Sequence, residues 1–374
     1  YLVLLVLLAL FGYAYVLAFP LLVIFGVLNI YNEIAVNETT DWLRLLTWLA
    51  VSIIAGIVSY QGSRFKPVYP TGLTLIENKA PRLFALVQQL RSHYKRPHIH
   101  RVVITSLYQV DIIKTPRWSL PLWSHNTLVI GLPVLLSLSP KQFECMLARR
   151  IGQFSKRDNL VTNWLYQLRA IWKQYRLIYA RQKGFAVEPL KRFFAIYAPF
   201  YKTVSARVAR MDELKADSYA MELYNDEEIR EMITVDSLCR WYLRHQFWPS
   251  IYKSAATKTD SLPAPHAKMS AAVYNSMAGD NFSALLRKVA TQSPSKKDTM
   301  PSLQSRINNI GHEKARAGTQ ATEIAAAHYL GDSMKSVVFL IDKLWLKTYL
   351  QQRKRQGQQS APVAQTQATN SQAS

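Results

Sequence analysis

The sequence predicts an α+β chain, mainly helical, with a small β-sheet and an N-terminal transmembrane hairpin. Three observations predict it. Two apolar runs open the chain: residues 1–31, without a single charge, and 45–60 after a polar link. Two short runs rich in β-branched residues, 101–106 (RVVITS) and 127–132 (TLVIGL), read as strands. Most of the remainder repeats apolar residues at helical spacing among charges.

The hairpin comes first. A span needs about 20 apolar residues, so 1–31 suffices with some tilt. Pro20 is expected to kink it, which a membrane helix tolerates. A cleaved signal peptide is the rival reading, but the run is too long and no small-residue cleavage site precedes the polar loop. The second run is shorter and has Trp42, Trp48 and Tyr60 as interfacial anchors. A buried hairpin of a soluble protein fits less well, because 1–31 has no polar face. The chain starts at Tyr1 rather than methionine and is expected to be a piece of a longer one.

Charge sets the orientation. Lys and Arg number 46 against 24 Asp and Glu, a formal charge of +22 over 374 residues. Residues 1–60 hold one base, Arg44, and three acids, Glu33, Glu38 and Asp41, so the excess lies beyond the hairpin. Two spans put both ends on one side, and the positive-inside rule makes that side the cytoplasm. The excess also suggests an acidic partner, but no nucleic-acid module accompanies it, so nucleic acid is an unfavoured partner. Cys145 and Cys239 stand far apart without a C-x-x-C spacing, which argues against a disulfide framework and a thiolate zinc site.

Beyond Pro67 the pattern is globular. Residues 77–95 place Leu83, Leu86, Val87 and Leu90 on one helical face. A further strand is expected near 111–114. Ser139-Pro140 opens a helix running to about Arg157, with serine as N-cap, proline at the first position and Gln142 completing a capping box. Long amphipathic helices are expected over 160–183 and 190–224, loops over 254–266 and 291–301, and a final helix near 320–352. The Gln/Ser/Ala-rich tail, 353–374, has nothing to bury and is expected to be disordered.

Residues 131–158 read GLPVLLSLSPKQFECMLARRIGQFSKRD. This resembles the zinc metallopeptidases of the HtpX and CAAX prenyl endopeptidase type, a gluzincin-like family in which a strand and turn lead into a helix bearing L-A-H-E-L-G-H. Residues 159–172 resemble the helix after that motif, 193–217 the segment ending in E-x-x-A-D, and 298–306 (DTMPSLQSR) the family's D-T-H-P-S-L-x-x-R. Order and spacing hold over roughly 70–345. The resemblance implies a minigluzincin scaffold over 61–352, between the hairpin of 1–60 and the tail.

In that family two histidines four apart hold zinc, the intervening glutamate is the general base, and the glutamate of E-x-x-A-D is the third ligand. Aligned on this pattern, Arg149 replaces the first histidine, Arg150 the base and Gln153 the second histidine. Glu213 matches the third ligand and Asp217 the supporting aspartate; Gly152, Arg157 and Asp158 keep family character. Arginine stays protonated and is no ligand, and it cannot accept a proton as a base. A glutamine carbonyl is a poor substitute for imidazole at zinc. Asp298 keeps its motif residue, but Met300 stands where that motif has histidine, and Gln109-Val110 where the substrate-binding strand has Asn-Ala. The eight histidines form no i, i+4 pair.

The resemblance therefore implies a degenerate member lacking H-E-x-x-H, with no cofactor expected. Such a pseudopeptidase would bind peptide or membrane-protein segments or regulate an active partner protease, and Arg149 would pair with Glu213 in place of the metal. Two alternatives stand beside it: an active zinc metalloendopeptidase with non-standard ligands, and a surface module that binds anionic membrane lipids.

Overall fold

A computed structural model describes residues 1–36, 40–63, 70–94, 98–116, 124–155, 160–257, 264–292, 299–315 and 323–371. The chain is mainly helical with one small mixed sheet. It opens with α1 (Leu2–Ala35) and α2 (Trp42–Ser63). Leu2–Ala35 and Trp42–Gly62 are each long and apolar enough to cross a membrane. Leu7, Leu21, Ile24, Leu43 and Ile54 are all exposed on them, the kind of apolar surface that a bilayer covers.

The sheet is built from β1 (Leu73–Leu75), β2 (Arg101–Thr105), β3 (Val110–Pro116) and β4 (Ser124–Gly131), in the order β1-β2-β4-β3. β2 and β4 pair in parallel, Val102 opposite Leu128 and Ile104 opposite Ile130; β3 returns antiparallel with Val110 opposite Ile130. β3 is thus an edge strand, and it is longer than the 111–114 the sequence indicates. The three residues of β1 are too few to show a strand periodicity in the sequence.

Between β1 and β2 lies α3 (Pro81–His93), which buries Leu83, Leu86, Val87 and Leu90 as its spacing requires. It begins later than residue 77 because Pro81 occupies its first turn. β4 runs into α4 (Leu132–Ser137) and α5 (Pro140–Ser155). Both bonds of the α5 capping box form: Gln142 N donates to Ser139 Oγ at 3.2 Å and Ser139 N to Gln142 Oε1 at 3.1 Å. Arg157 and Asp158 lie outside the described residues.

Then come α6 (Leu160–Arg181), α7 (Glu188–Val204) and α8 (Ala206–Ala220). The single helix expected over 190–224 is therefore two, broken at Ser205. Its hydroxyl donates to Tyr201 O at 2.5 Å and accepts from Arg169 Nη1 at 2.7 Å. A serine bonded to the preceding turn competes with helix continuation. The remaining helices are α9 (Asp226–Tyr242), α10 (Trp248–Thr257), α11 (Pro265–Ser276), α12 (Asp280–Ala290), α13 (Leu303–Asn309), α14 (Ala325–Leu330) and α15 (Met334–Ser371). The helix expected over 320–352 is interrupted at Gly331, whose φ of 50° suits glycine and ends α14. The α15 backbone runs as helix to Ser371, through the segment whose composition predicts disorder.

Two cores result. The main one joins the sheet to α3, α4, α5, α9, α13 and α14 around Ile104, Ile130, Phe143 and Ile233. A second, aromatic core joins the hairpin to α6 and α7 through Leu5, Ala9, Trp172, Phe194 and Tyr197. Helix α1 has 34 residues, about 51 Å at 1.5 Å each, against a hydrocarbon thickness of about 30 Å. Its N-terminal half is what docks on α6 and α7: Tyr197 Oη donates to Leu8 O at 2.6 Å and Tyr15 Oη to Pro189 O at 3.2 Å.

Candidate functional site

The residues that the sequence singles out converge where α5 crosses α8. Gly152 permits the crossing, since a Cβ there would lie 2.7 Å from Tyr219 Cβ and 3.2 Å from Tyr94 Cε1. One turn earlier on α5, Arg149 is only 2% exposed and points at α8. Its Nε donates to Asp217 Oδ1 at 2.6 Å, and its Nη2 donates to Glu213 Oε2 at 2.5 Å and to the Glu213 carbonyl at 3.0 Å. Arg150 takes the other Glu213 oxygen, Nη1 donating to Oε1 at 2.7 Å, and also donates to Gln153 Oε1 at 2.7 Å. Gln153 Nε2 in turn donates to the Asp212 carbonyl at 3.3 Å.

The cluster extends to two further helices. Arg306 of α13, 1% exposed, donates Nε to Asp217 Oδ2 at 2.9 Å and Nη2 to Asp217 Oδ1 at 2.8 Å. Its Nη1 reaches Asp236 Oδ2 of α9 at 3.1 Å, and Arg240 Nη2 donates to Asp236 Oδ1 at 3.1 Å. One buried network thus ties α5, α8, α9 and α13. Burial alone would push the Glu213 carboxyl up; the Arg150 and Arg149 guanidiniums overcome that and hold it well below the ordinary carboxylate range. Asp236 is likewise held down, burial being outweighed by Arg240, Arg306 and Arg149. Asp212, next to Glu213 on α8, goes the other way: burial and the neighbouring Glu213 raise it to about 6 against the opposing charges of Lys215 and Arg169.

A zinc ion does not fit this arrangement. Both Glu213 oxygens already accept from guanidinium groups, and Arg149 fills the space between Glu213 and Asp217. Among the described residues no group of three or more His, Cys, Asp or Glu side chains is placed to hold a metal ion.

Beside the network lies a cavity of about 1100 Å³. Arg150, Gln153 and Asp212 reach it from the network, and edge strand β3 lines it with Asp111, Ile113 and Lys114. Burial pushes the Asp111 carboxyl up, with Arg150 opposing and Glu213 adding to the shift. Helix α6 forms the facing wall, joined to β3 where Lys114 Nζ donates to Gln167 Oε1 at 3.1 Å. Gln109 lines the cavity and accepts from Gly131 N at 2.6 Å, whereas Val110 turns into the core, 4% exposed. Met300 is half-buried next to Thr299, a lining residue, and Asp298 lies outside the described residues.

Arg306 is the last residue of the 298–306 segment, DTMPSLQSR. Asp236 and Arg240 sit on α9, whose start is signalled by Asn225 and Glu228: Glu228 N donates to Asn225 Oδ1 at 2.8 Å and Asn225 N to Glu228 Oε2 at 3.1 Å. Compared with known proteins, the chain matches no family model, no curated protein and no solved structure.

Proposed function

We propose that this chain is a membrane-anchored binding protein with a metallopeptidase-like site that has exchanged its metal for an ion-pair network. It holds peptide or membrane-protein segments in the cavity along β3, on the cytoplasmic face, without cleaving them, or it presents them to a partner protease. The observation that carries the reading is the replacement itself. Arg149 and Arg150 satisfy Glu213 and Asp217 internally, while the cavity beside them, lined by β3, stays open. Arg150, at the position where the family carries its general base, is permanently protonated and cannot accept a proton.

The test uses the full chain in detergent with a fluorescent unfolded polypeptide. Anisotropy should rise on mixing and the polypeptide should stay intact. Cleavage that stops on adding a chelator would favour an active peptidase, and absence of any binding would remove the cleft reading.

A further inference from the structure

The turn that joins α6 to α7, residues 182–187, packs against both helices of the hairpin. Tyr179 Oη donates to Gly62 O at 3.4 Å, in the last turn of α2. A Cβ on Gly62 would lie 3.0 Å from Leu190 Cδ1, and one on Gly184 would lie 3.3 Å from Gln61 Oε1. From α1, Tyr15 Oη donates to Pro189 O at 3.2 Å. The turn is therefore level with Tyr15 on one helix and Gly62 on the other.

Length says what that level is. Tyr15 to Ala35 and Trp42 to Gly62 each rise by about 30 Å, the thickness of the hydrocarbon core. Phe25 meets Trp48 edge-on at 5.3 Å, which holds the two stretches side by side. The other end of α1 lies among charges: Tyr1 donates to Val204 O, and the Arg207 guanidinium sits 5.8 Å from its ring. An arginine is costly inside hydrocarbon, so that end belongs in water and the bilayer boundary falls near Tyr15 and Gly62. At this boundary the turn presents Phe185, 100% exposed. Around it in sequence stand Arg181, Lys183, Lys191 and Arg192, against one acid, Glu188, which already accepts from Lys191 and Arg192.

From this placement we infer that the α6–α7 turn is a second membrane contact, with Phe185 in the headgroup layer and Arg181 and Lys183 on anionic lipid headgroups. The inference rests on the reading that the hairpin crosses a bilayer. An aromatic ring among cations suits the interface, where the ring leaves water and the charges meet phosphate and carboxylate. A surface level with the ends of two spans meets lipid before any other partner. Arg181 also lines the cavity, together with Lys173 and Arg176 of the same helix. One end of the cavity thereby opens at the membrane surface, where a membrane-protein segment would enter it.

The experiment places the full chain in phosphatidylcholine nanodiscs, with or without phosphatidylserine, and attaches a nitrobenzoxadiazole label to Phe185→Cys. Cys145 and Cys239 are buried, so labelling is confined to the new thiol. Lipid carrying a nitroxide at the headgroup should quench the label when phosphatidylserine is present. The same label on Ile196→Cys, further along α7, should stay unquenched. Each cation at an anionic surface is worth roughly fivefold, so R181E/K183E should weaken the contact about 30-fold and abolish the quenching. Both side chains are exposed, so the melting temperature should hold. Equal quenching with and without phosphatidylserine, or quenching retained in R181E/K183E, would overturn the assignment to anionic lipid. A label on Tyr60→Cys reports the hairpin itself. Quenching there but not at residue 185 would overturn the second contact and leave the span intact; quenching at neither would overturn both.

Discussion

Glu213→Ala tests the network at its most connected point. Glu213 is 5% exposed and accepts from Arg149 at 2.5 Å and Arg150 at 2.7 Å. Removing one partner of a buried ion pair costs about 3–5 kcal/mol, mainly because the other charge is left without compensation. Here the loss falls near the lower end. Arg149 keeps Asp217 and the carbonyl of residue 213, and Arg150, on the cavity side, keeps Gln153 and access to water. At roughly 2–4 °C per kcal/mol for a domain of 150–250 residues, the midpoint should fall by about 6–12 °C. The assay is thermal unfolding of the detergent-solubilised chain, run with and without chelator, together with Arg149→Ala and the double variant. The double variant should be less destabilised than the sum of the singles by about 1–3 kcal/mol, since each single strands the other's charge. A Glu213→Ala midpoint within 1 °C or so of the parent, or a parent midpoint that drops with chelator, would refute the reasoning.

Further outcomes follow from the same geometry. The Glu213 carboxyl is held below its ordinary value of 4.5, so its contribution is complete above that pH and is lost as the pH falls below it; in an acid titration followed by circular dichroism, Glu213→Gln should lose stability less steeply than the parent below pH 4.5. Asp212 is raised from 3.8 to about 6, so its ionised form costs stability as the pH rises through that interval. Asp212→Asn should therefore raise the midpoint by about 1–2 °C at pH 7.5, after discounting for partial exposure, and leave it unchanged at pH 3.5. Gly152→Ala brings a Cβ to 2.7 Å from Tyr219 Cβ, and overpacking of that kind should cost about 1–2 kcal/mol in denaturant titration despite the better helix propensity of alanine.

Where local chemistry decides, the sequence was enough. Ser139 and Gln142 announced the α5 terminus, and the Leu83, Leu86, Val87, Leu90 spacing announced the buried face of α3. The pairing of Arg149 with Glu213 could be anticipated only through the resemblance, because 64 residues separate them. The reach of the network to α9 could not. Asp236 follows Ile229, Met232 and Ile233 on one buried helical face, but only helix packing shows that its partner there is Arg306. The break at Ser205 depends on a bond from Arg169, and the one at Gly331 on a backbone angle, so both helices looked longer in sequence than they are. The cationic wall of the cleft was visible as charge on α6, but which bases face the cavity became clear only with β3 opposite them.

One measurement bears most directly on the exchange of metal for guanidinium: the zinc content of the purified full chain, compared with its Glu213→Ala variant. The account predicts well below about 0.1 zinc per chain in both, since catalytic sites of this class carry about one. Close to one zinc per chain in the parent, lost in Glu213→Ala, would contradict it.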